Sequence, residues 1–314
     1  HSTSRRQRQM CIRDRINIGR REKLCYDYAR MLKDIEMLTD NYNIIERFSI
    51  GKSVMQKDIP CLKIGKGKKK LLLSGAYHGL EYLTAAFLIK FVSNYTVKLM
   101  TETEYFGYDI KRLYSDITVY IVPMVNPDGV DIALNGLDIT NEYHRHLISM
   151  VGIHSFNHVW QANSRGVDIN HNFDAKWQMV VDKPSPSKYG GEYAESEPET
   201  RAITEFVRKE QFDMLLAFHS QGREIYYDFD GMTGENSVEI AKKMAEESGY
   251  AVCIPTGTAS YGGCKDWFIK EFGKEGFTVE IGTGQNPLPM SMIDEVYDEN
   301  AKIALCAMHE CAYN

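Results

Sequence analysis

Three short segments, far apart in the chain, carry residues able to hold a metal ion and to hydrolyse an amide beside it. His78-Gly-Leu-Glu81 places an imidazole and a carboxylate three residues apart, Ala-Phe-His219-Ser adds a second imidazole, and Phe-Thr-Val-Glu280 adds a second carboxylate. Two imidazoles and one carboxylate leave an open position on a zinc ion, the arrangement of a catalytic rather than a structural site. A free carboxylate beside it is the base that a hydrolase needs. Each piece also has an ordinary reading. Glu81 could cap a helix beside an unrelated His78, His219 after an apolar strand could be a satisfied core imidazole, and Glu280 could be paired with a Lys or Arg. A buried carboxylate with neither partner nor function costs several kcal/mol, so Glu280 calls for one or the other.

The segments sit where strands give way to helices or loops. Residues 70–77 and 118–125 read as buried strands, and 212–218 and 277–281 repeat that pattern; 44–50, 60–64 and 224–229 are further β-like runs. Helical spacing runs through Leu24, Tyr28, Met31 and Ile35, and again through Leu83, Phe87, Leu88 and Phe91. Helices are also expected over 235–249, 262–272 and 291–311. Asn126-Pro-Asp-Gly129 reads as a turn, Ser196-Glu-Pro-Glu199 as a capping box opening a helix to about residue 209, and 135–194 as a long irregular loop. Helices alternating with buried strands, without a linker or repeat, predict an α/β fold: one domain with a mixed, mostly parallel sheet flanked by helices. In such sheets ligands gather at the strand carboxyl ends, where His78, His219 and Glu280 are expected.

The chain has 314 residues and a net charge of −6. Residues 1–21 carry seven Arg and one Asp, so the remainder is more acidic still, which argues against nucleic acid as the main partner. No apolar run reaches the ~20 residues of a membrane span. The basic start has no apolar h-region and is not read as a secretory signal; it is expected to be a non-native or disordered segment ahead of a domain over 22–314. Seven Cys without a C-x-x-C pair suggest reduced thiols and a cytoplasmic setting.

The segment Trp160-Gln-Ala-Asn-Ser-Arg-Gly-Val-Asp-Ile-Asn170-His-Asn-Phe is the polar loop expected over the metal. It offers an amide, a guanidinium and a further imidazole, although its Asn and Asp residues could equally build turns.

These motifs, with Val-Asn-Pro-Asp-Gly129, Ser-Glu-Pro-Glu199 and Gly-Gly-x-x-Asp-Trp267, resemble in order and spacing the zinc carboxypeptidase family of M14 metallopeptidases over about residues 25–312. The resemblance implies one Zn2+ on His78, Glu81 and His219, with Glu280 as general base. In exo-carboxypeptidases an Arg follows the Asn of an Asp-x-Asn-Arg motif and grips the substrate's terminal carboxylate; here Asn170 is followed by His171, which cannot form that bidentate clamp. Gln161 replaces the Arg that polarises the scissile carbonyl, leaving Gln161 or Arg165 as oxyanion donors. Thr258 stands where the substrate-closing Tyr belongs, with Tyr261 nearby. These departures, with the runs 219–227 and 281–289, resemble the γ-D-glutamyl-L-diamino acid (diaminopimelate) peptidase subgroup. That likeness implies cleavage of a small peptide or muropeptide, with Arg223 a carboxylate partner. The alternatives are a general metallocarboxypeptidase and a non-catalytic muropeptide-binding module.

Overall fold

The computed structural model describes residues 25–178, 180–257 and 261–314. The basic segment 1–21 and Thr258 lie outside the described residues. Helix α1 (Tyr28–Asn41) opens on Asp27, whose carboxylate accepts from the Arg30 N–H, and buries Met31, Ile35 and Leu38 on one stripe. Strands β1 (Glu46–Lys52), β2 (Asp58–Gly65) and β3 (Lys69–Gly75) come next, then the long helix α2 (Tyr82–Thr101). A small hairpin, β4 (Glu104–Tyr105) with β5 (Tyr108–Asp109), leads through α3 (Ile110–Asp116) into β6 (Ile117–Val122). After β6 come α4 (Pro127–Asn135), α5 (His144–Val151), α6 (Phe156–Val159) and α7 (Pro198–Glu210). The chain finishes with β7 (Met214–His219), β8 (Glu224–Tyr226), α8 (Ser237–Ser248), β9 (Ala251–Cys253), α9 (Cys264–Phe272), β10 (Glu275–Glu280) and α10 (Ile293–Tyr313).

Eight strands form one sheet in the order β1-β2-β6-β3-β7-β10-β8-β9. Its centre, β6-β3-β7-β10, is parallel throughout. Antiparallel pairings join β1 to β2, β2 to β6 and β10 to β8. The continuous apolar runs reflect helices lying on both faces. Leu71 and Leu73 of β3 enter a core shared with α1, α2 and α10, whereas Leu72 enters the opposite core with Phe206, Trp267 and Phe268. Strand β7 divides its side chains the same way, Leu216 and Phe218 to one side, Leu215 and Ala217 to the other. No helix among the described residues is long and apolar enough to cross a membrane.

Three local expectations need correction. Asn126-Pro-Asp-Gly129 is not a free turn but the start of α4, with the Asn126 side chain accepting from the Gly129 N–H and Pro127 in the first turn. Residues 135–194 are not wholly irregular: α5 and α6 and a 3-10 turn at Ile169–His171 interrupt them, with Leu147, Trp160 and Leu80 forming a small third core. Ser196 and Glu199 do not make a capping box. Glu197 is the cap residue of α7 and makes no side-chain capping bond, while Glu199 turns inward to accept from the Val54 N–H at 2.9 Å.

Candidate functional site

The site is assembled where the parallel centre of the sheet ends. Gly75, the last residue of β3, lies opposite Phe218, and the last residues of β7 and β10, His219 and Glu280, are register partners. Beyond β3 the chain makes a tight link rather than entering α2 directly. Val125 and Asn126 donate backbone N–H bonds to the carbonyls of Gly75 and Ala76, and the Asn126 amide donates to the Tyr77 carbonyl at 3.0 Å. His78 therefore stands three residues past the strand, and Glu81 is the cap position of α2 but makes no side-chain capping bond, so its carboxylate is free to face the imidazoles. Gly79 has to be glycine: a Cβ there would lie 2.4 Å from the Gly129 carbonyl oxygen and 2.7 Å from that of Trp160.

This link brings three distant donors together. Glu81 Oε1 lies 2.8 Å from His78 Nδ1, and Glu81 Oε2 lies 3.0 Å from His219 Nδ1. One donor atom from each of the three side chains falls within 4.8 Å of the others. The other nitrogen of His78, Nε2, lies 3.2 Å from Asp168 Oδ1. A carboxylate accepts only, so in the neutral imidazole Nε2 carries the proton and Nδ1 turns its lone pair toward Glu81. Two acceptors 2.8 Å apart need a cation between them, and the same holds for His219 once its Nδ1 is unprotonated. The His219 ring is buried, stacked on Tyr77 at a centroid distance of 5.2 Å, with Nε2 lacking a hydrogen-bond partner. Among the described residues this is the one such group of metal donors, and its two imidazoles and single carboxylate suit one zinc ion with an open position.

The electrostatics agree. Burial disfavours charge on His78, but the Glu81 and Asp168 carboxylates outweigh it and hold the imidazole well above its usual range. Glu81 is drawn down to about 2 because both imidazoles overcome its burial. Asp168 is likewise held well below the usual carboxylate range by His78 and His171 against its own burial. In each case the proton's positive charge stands in for that of a metal ion. Glu280 goes the other way: burial, and then the negative charge of Glu81, raise it well above its ordinary value. No Lys or Arg pairs with its carboxylate among the described residues. A high-pKa carboxylate close to a cluster that calls for a cation is suited to taking and returning a proton.

The remaining sequence candidates divide. Asn170 lines, with Tyr226, Lys265, Asp266, Thr278 and Glu280, a cavity of about 340 Å³ beside the metal donors. Its side chain accepts from the N–H of Cys264, the first residue of α9, at 3.1 Å. His171 is tied back by Nδ1 to the Tyr261 carbonyl at 3.0 Å, with Nε2 4.0 Å from Asp168. The Tyr261 ring packs against the second core and lies 5.6 Å from Lys176 Nζ. Gln161 fixes the link through its backbone, its carbonyl accepting from the N–H of Gly79. Arg165 faces away from this cavity, 3.6 Å from Glu197, and lines a separate one of about 250 Å³ with Tyr189 and Tyr193. Arg223 also turns aside, pairing with Glu299 at 2.7 Å beneath the Tyr250 ring. Asp168 is the participant whose role the sequence concealed: its partner His78 lies 90 residues away, and only the Gly-Val-Asp-Ile-Asn170 segment hinted at it.

Comparison with known proteins gives these features a lineage. The zinc carboxypeptidase family of M14 peptidases matches residues 31–303. γ-D-Glutamyl-L-diamino acid endopeptidase 1 of Lysinibacillus sphaericus is 36% identical over 289 residues, covering 90% of this chain and 72% of that protein. Carboxypeptidase B of Bos taurus is 26% identical over 84% of this chain and 65% of its own length. Among solved structures, thrombin activatable fibrinolysis inhibitor shares the fold at a TM-score of 0.75 and 20% identity, over 96% of this chain and 80% of that one. The family match spans nearly all of the described chain and includes the strand ends that bear His78, His219 and Glu280. The chain belongs to the M14 family of zinc carboxypeptidases and is a zinc metallopeptidase.

Proposed function

We propose that this metallopeptidase cleaves the amide between γ-D-glutamate and diaminopimelate in bacterial cell-wall peptides. The observation that carries the reading is the 36% identity, over 90% of the chain, to an enzyme named as a γ-D-glutamyl-L-diamino acid endopeptidase. The residue after Asn170 supports it: an imidazole anchored on the Tyr261 carbonyl, with no planar guanidinium at that position to grip a free main-chain carboxylate.

In this reading His78, Glu81 and His219 hold the ion, and Asp168 fixes the tautomer and orientation of His78. Zinc, when bound, acidifies water and polarises the scissile carbonyl. Glu280 takes a proton from the attacking water and delivers it to the departing amine nitrogen, so that one carboxylate serves as base and then as acid. Its raised proton affinity suits the second task, since a strongly acidic carboxyl group would hold too little of the proton to share. Asn170 lines the cavity and His171 follows it on the same 3-10 turn, and Gln161, whose backbone locks the His78 link, is the remaining oxyanion candidate because Arg165 is engaged with Glu197. Tyr261, and Thr258 outside the described residues, complete the proposed substrate contacts.

The test is direct. The purified zinc-loaded protein is incubated with L-alanyl-γ-D-glutamyl-meso-diaminopimelate and with ordinary α-linked peptides, and the products are weighed by mass spectrometry. Release of diaminopimelate-containing product, with little or no trimming of the α-linked peptides, is expected. Efficient removal of C-terminal residues from ordinary peptides would instead make the protein a general carboxypeptidase.

A further inference from the structure

Arg223 turns its side chain toward Glu299 and its backbone toward the base. We propose that it is a positioning residue for Glu280: Glu299 and Tyr250 hold the guanidinium, and the guanidinium keeps the Arg223 backbone in the conformation that fixes the peptide unit after Glu280. This role rests on Glu280 being the base, as proposed above, and is indifferent to which amide is cut.

The antiparallel register of β8 with β10 stops at the pair Glu224 and Glu280. One residue further out, Arg223 donates its backbone N–H to the Glu280 carbonyl at 2.8 Å. On the opposite edge the Ile281 N–H donates to the carbonyl of His219, also at 2.8 Å. The carbonyl of Glu280 and the N–H of Ile281 belong to one planar peptide unit, so that unit is gripped from both sides. Its orientation helps set the direction in which the Glu280 side chain leaves the strand. Held by His219 alone, it could pivot about a single hydrogen bond.

Arg223 makes its bond from φ 56°, in the left-handed region. That region crowds a Cβ against the following carbonyl, so an arginine stays there only when other contacts hold it. Its side chain supplies them. One guanidinium nitrogen, Nη2, lies 2.7 Å from Glu299 Oε1 on α10, and the guanidinium carbon lies 5.5 Å from the Tyr250 ring centroid. Glu299 Oε2 in turn accepts from the Tyr250 hydroxyl at 3.0 Å, and the Asn300 amide donates to that hydroxyl at 2.8 Å. A charge-assisted pair and an aromatic face thus offset an unfavourable backbone. The residue after Tyr250 completes the grip, its N–H donating to the Arg223 carbonyl at 2.9 Å. Backbone strain that surrounding contacts maintain beside a reacting group points to a functional constraint.

Arg223→Ala, Arg223→Gly, Arg223→Lys and Glu299→Gln are compared, zinc-loaded, with wild type and with Glu280→Gln on whichever peptide wild type hydrolyses. Arg223→Ala is expected to lose about 10- to 100-fold in kcat, the scale of a slightly misplaced catalytic group, with KM and zinc content unchanged. Arg223→Lys keeps a cation for Glu299, and Arg223→Gly enters the left-handed region without steric cost, so each should recover most of that loss. Glu299→Gln should lose less than Arg223→Ala and add nothing to it when the two are combined. It decides the matter if Arg223→Ala does not fold by circular dichroism. An arginine that grips substrate would instead raise KM, and glycine there would do no better than alanine; either result overturns the proposal, as does full kcat in folded Arg223→Ala. Full turnover in Glu280→Gln removes the base and this role together, whereas loss there with full turnover in Arg223→Ala removes the clamp alone. Amide hydrogen exchange gives a readout independent of turnover. Residues 279–282 should exchange faster in Arg223→Ala and at the wild-type rate in Arg223→Lys, and unchanged exchange in Arg223→Ala overturns the clamp.

Discussion

Among the described residues two buried clusters of carboxylates stand out, and one of them has the makings of a reaction centre. The first is Glu81 with Asp168 and the two imidazoles, near Glu280. The second, Asp128 with Glu197 and Glu199, is buried between α4, α7 and the turn after β1. In the second cluster nearly every oxygen is supplied with donors. Glu199 accepts from Val54 N–H, Asp128 accepts from Met55 N–H and lies 3.5 Å from Lys57 Nζ, and the Asn163 amide bridges Glu197 and Glu199. In the first, acceptors face acceptors and wait for a cation. Burial of charge alone therefore does not mark a site; convergence of unsatisfied lone pairs does.

If that distinction is right, disturbing the first cluster should destroy chemistry, whereas disturbing the second should change only stability. The largest effect is expected for His219→Ala, which removes one of three donors: zinc content by mass spectrometry should fall from one per chain to well below it, taking turnover with it. A fully occupied variant would exclude His219 from the ligand set. Next comes Glu280→Gln, which should retain zinc yet lose about 10²- to 10⁴-fold in kcat, the usual worth of a positioned general base. Substantial residual turnover would move the base elsewhere.

A smaller loss is expected at Asp168, which acts through His78 rather than on substrate. Asp168→Asn keeps the size of the side chain but can offer its N–H to His78 Nε2, favouring the wrong tautomer for a ligand that binds through Nδ1. Zinc affinity, measured by competition with a chromophoric chelator, should weaken roughly 10- to 100-fold, as for other groups that orient metal ligands. An unchanged affinity with lost activity would instead place Asp168 in the chemistry.

The same contrast explains what could be read in the sequence. The four central strands announce themselves because each is buried on both faces, and a continuous apolar run survives any detail of packing. The residues at or just beyond their ends, His78, His219 and Glu280, could be singled out because strand ends in an α/β sheet converge. Glu199 shows where local reading fails. Ser196-x-x-Glu199 has the spacing of a capping box, yet Pro198 occupies the first turn and the Glu199 side chain finds Val54, 145 residues away, as its donor. Asp168 shares this difficulty. Its meaning depends on which distant group faces it, His78, and nothing within a few residues encodes that. Arg165 and Arg223 looked suitable by proximity in sequence to the site, but Glu197 and Glu299 claim them in space.

The smallest effect, and the one that separates the clusters most sharply, is expected from Glu199→Gln. Burial, and then the charge of Asp128 acting with Glu197, pushes Glu199 up to about 8 from an ordinary value of 4.5. Between those two values the folded protein holds a proton that the unfolded chain has released. Stability from this group is thus complete below about pH 4.5 and declines as pH rises toward 8, where the buried carboxylate becomes charged. A glutamine keeps an oxygen for the Val54 N–H and carries no charge, and it gives up only the longer 3.3 Å bond from Asn163, whose amide retains Glu197 at 2.7 Å. The variant and wild type should therefore unfold alike near pH 5. At pH 8.5 the variant should be more stable, by no more than about 5 kcal/mol, since each tenfold difference in proton affinity is worth roughly 1.4 kcal/mol. Urea unfolding at the two pH values reads this difference, and kcat should be unaltered. A pH-independent loss of stability would mean that Glu199 is held ionised by its donors, and a fall in kcat at full stability would link the second cluster to the first.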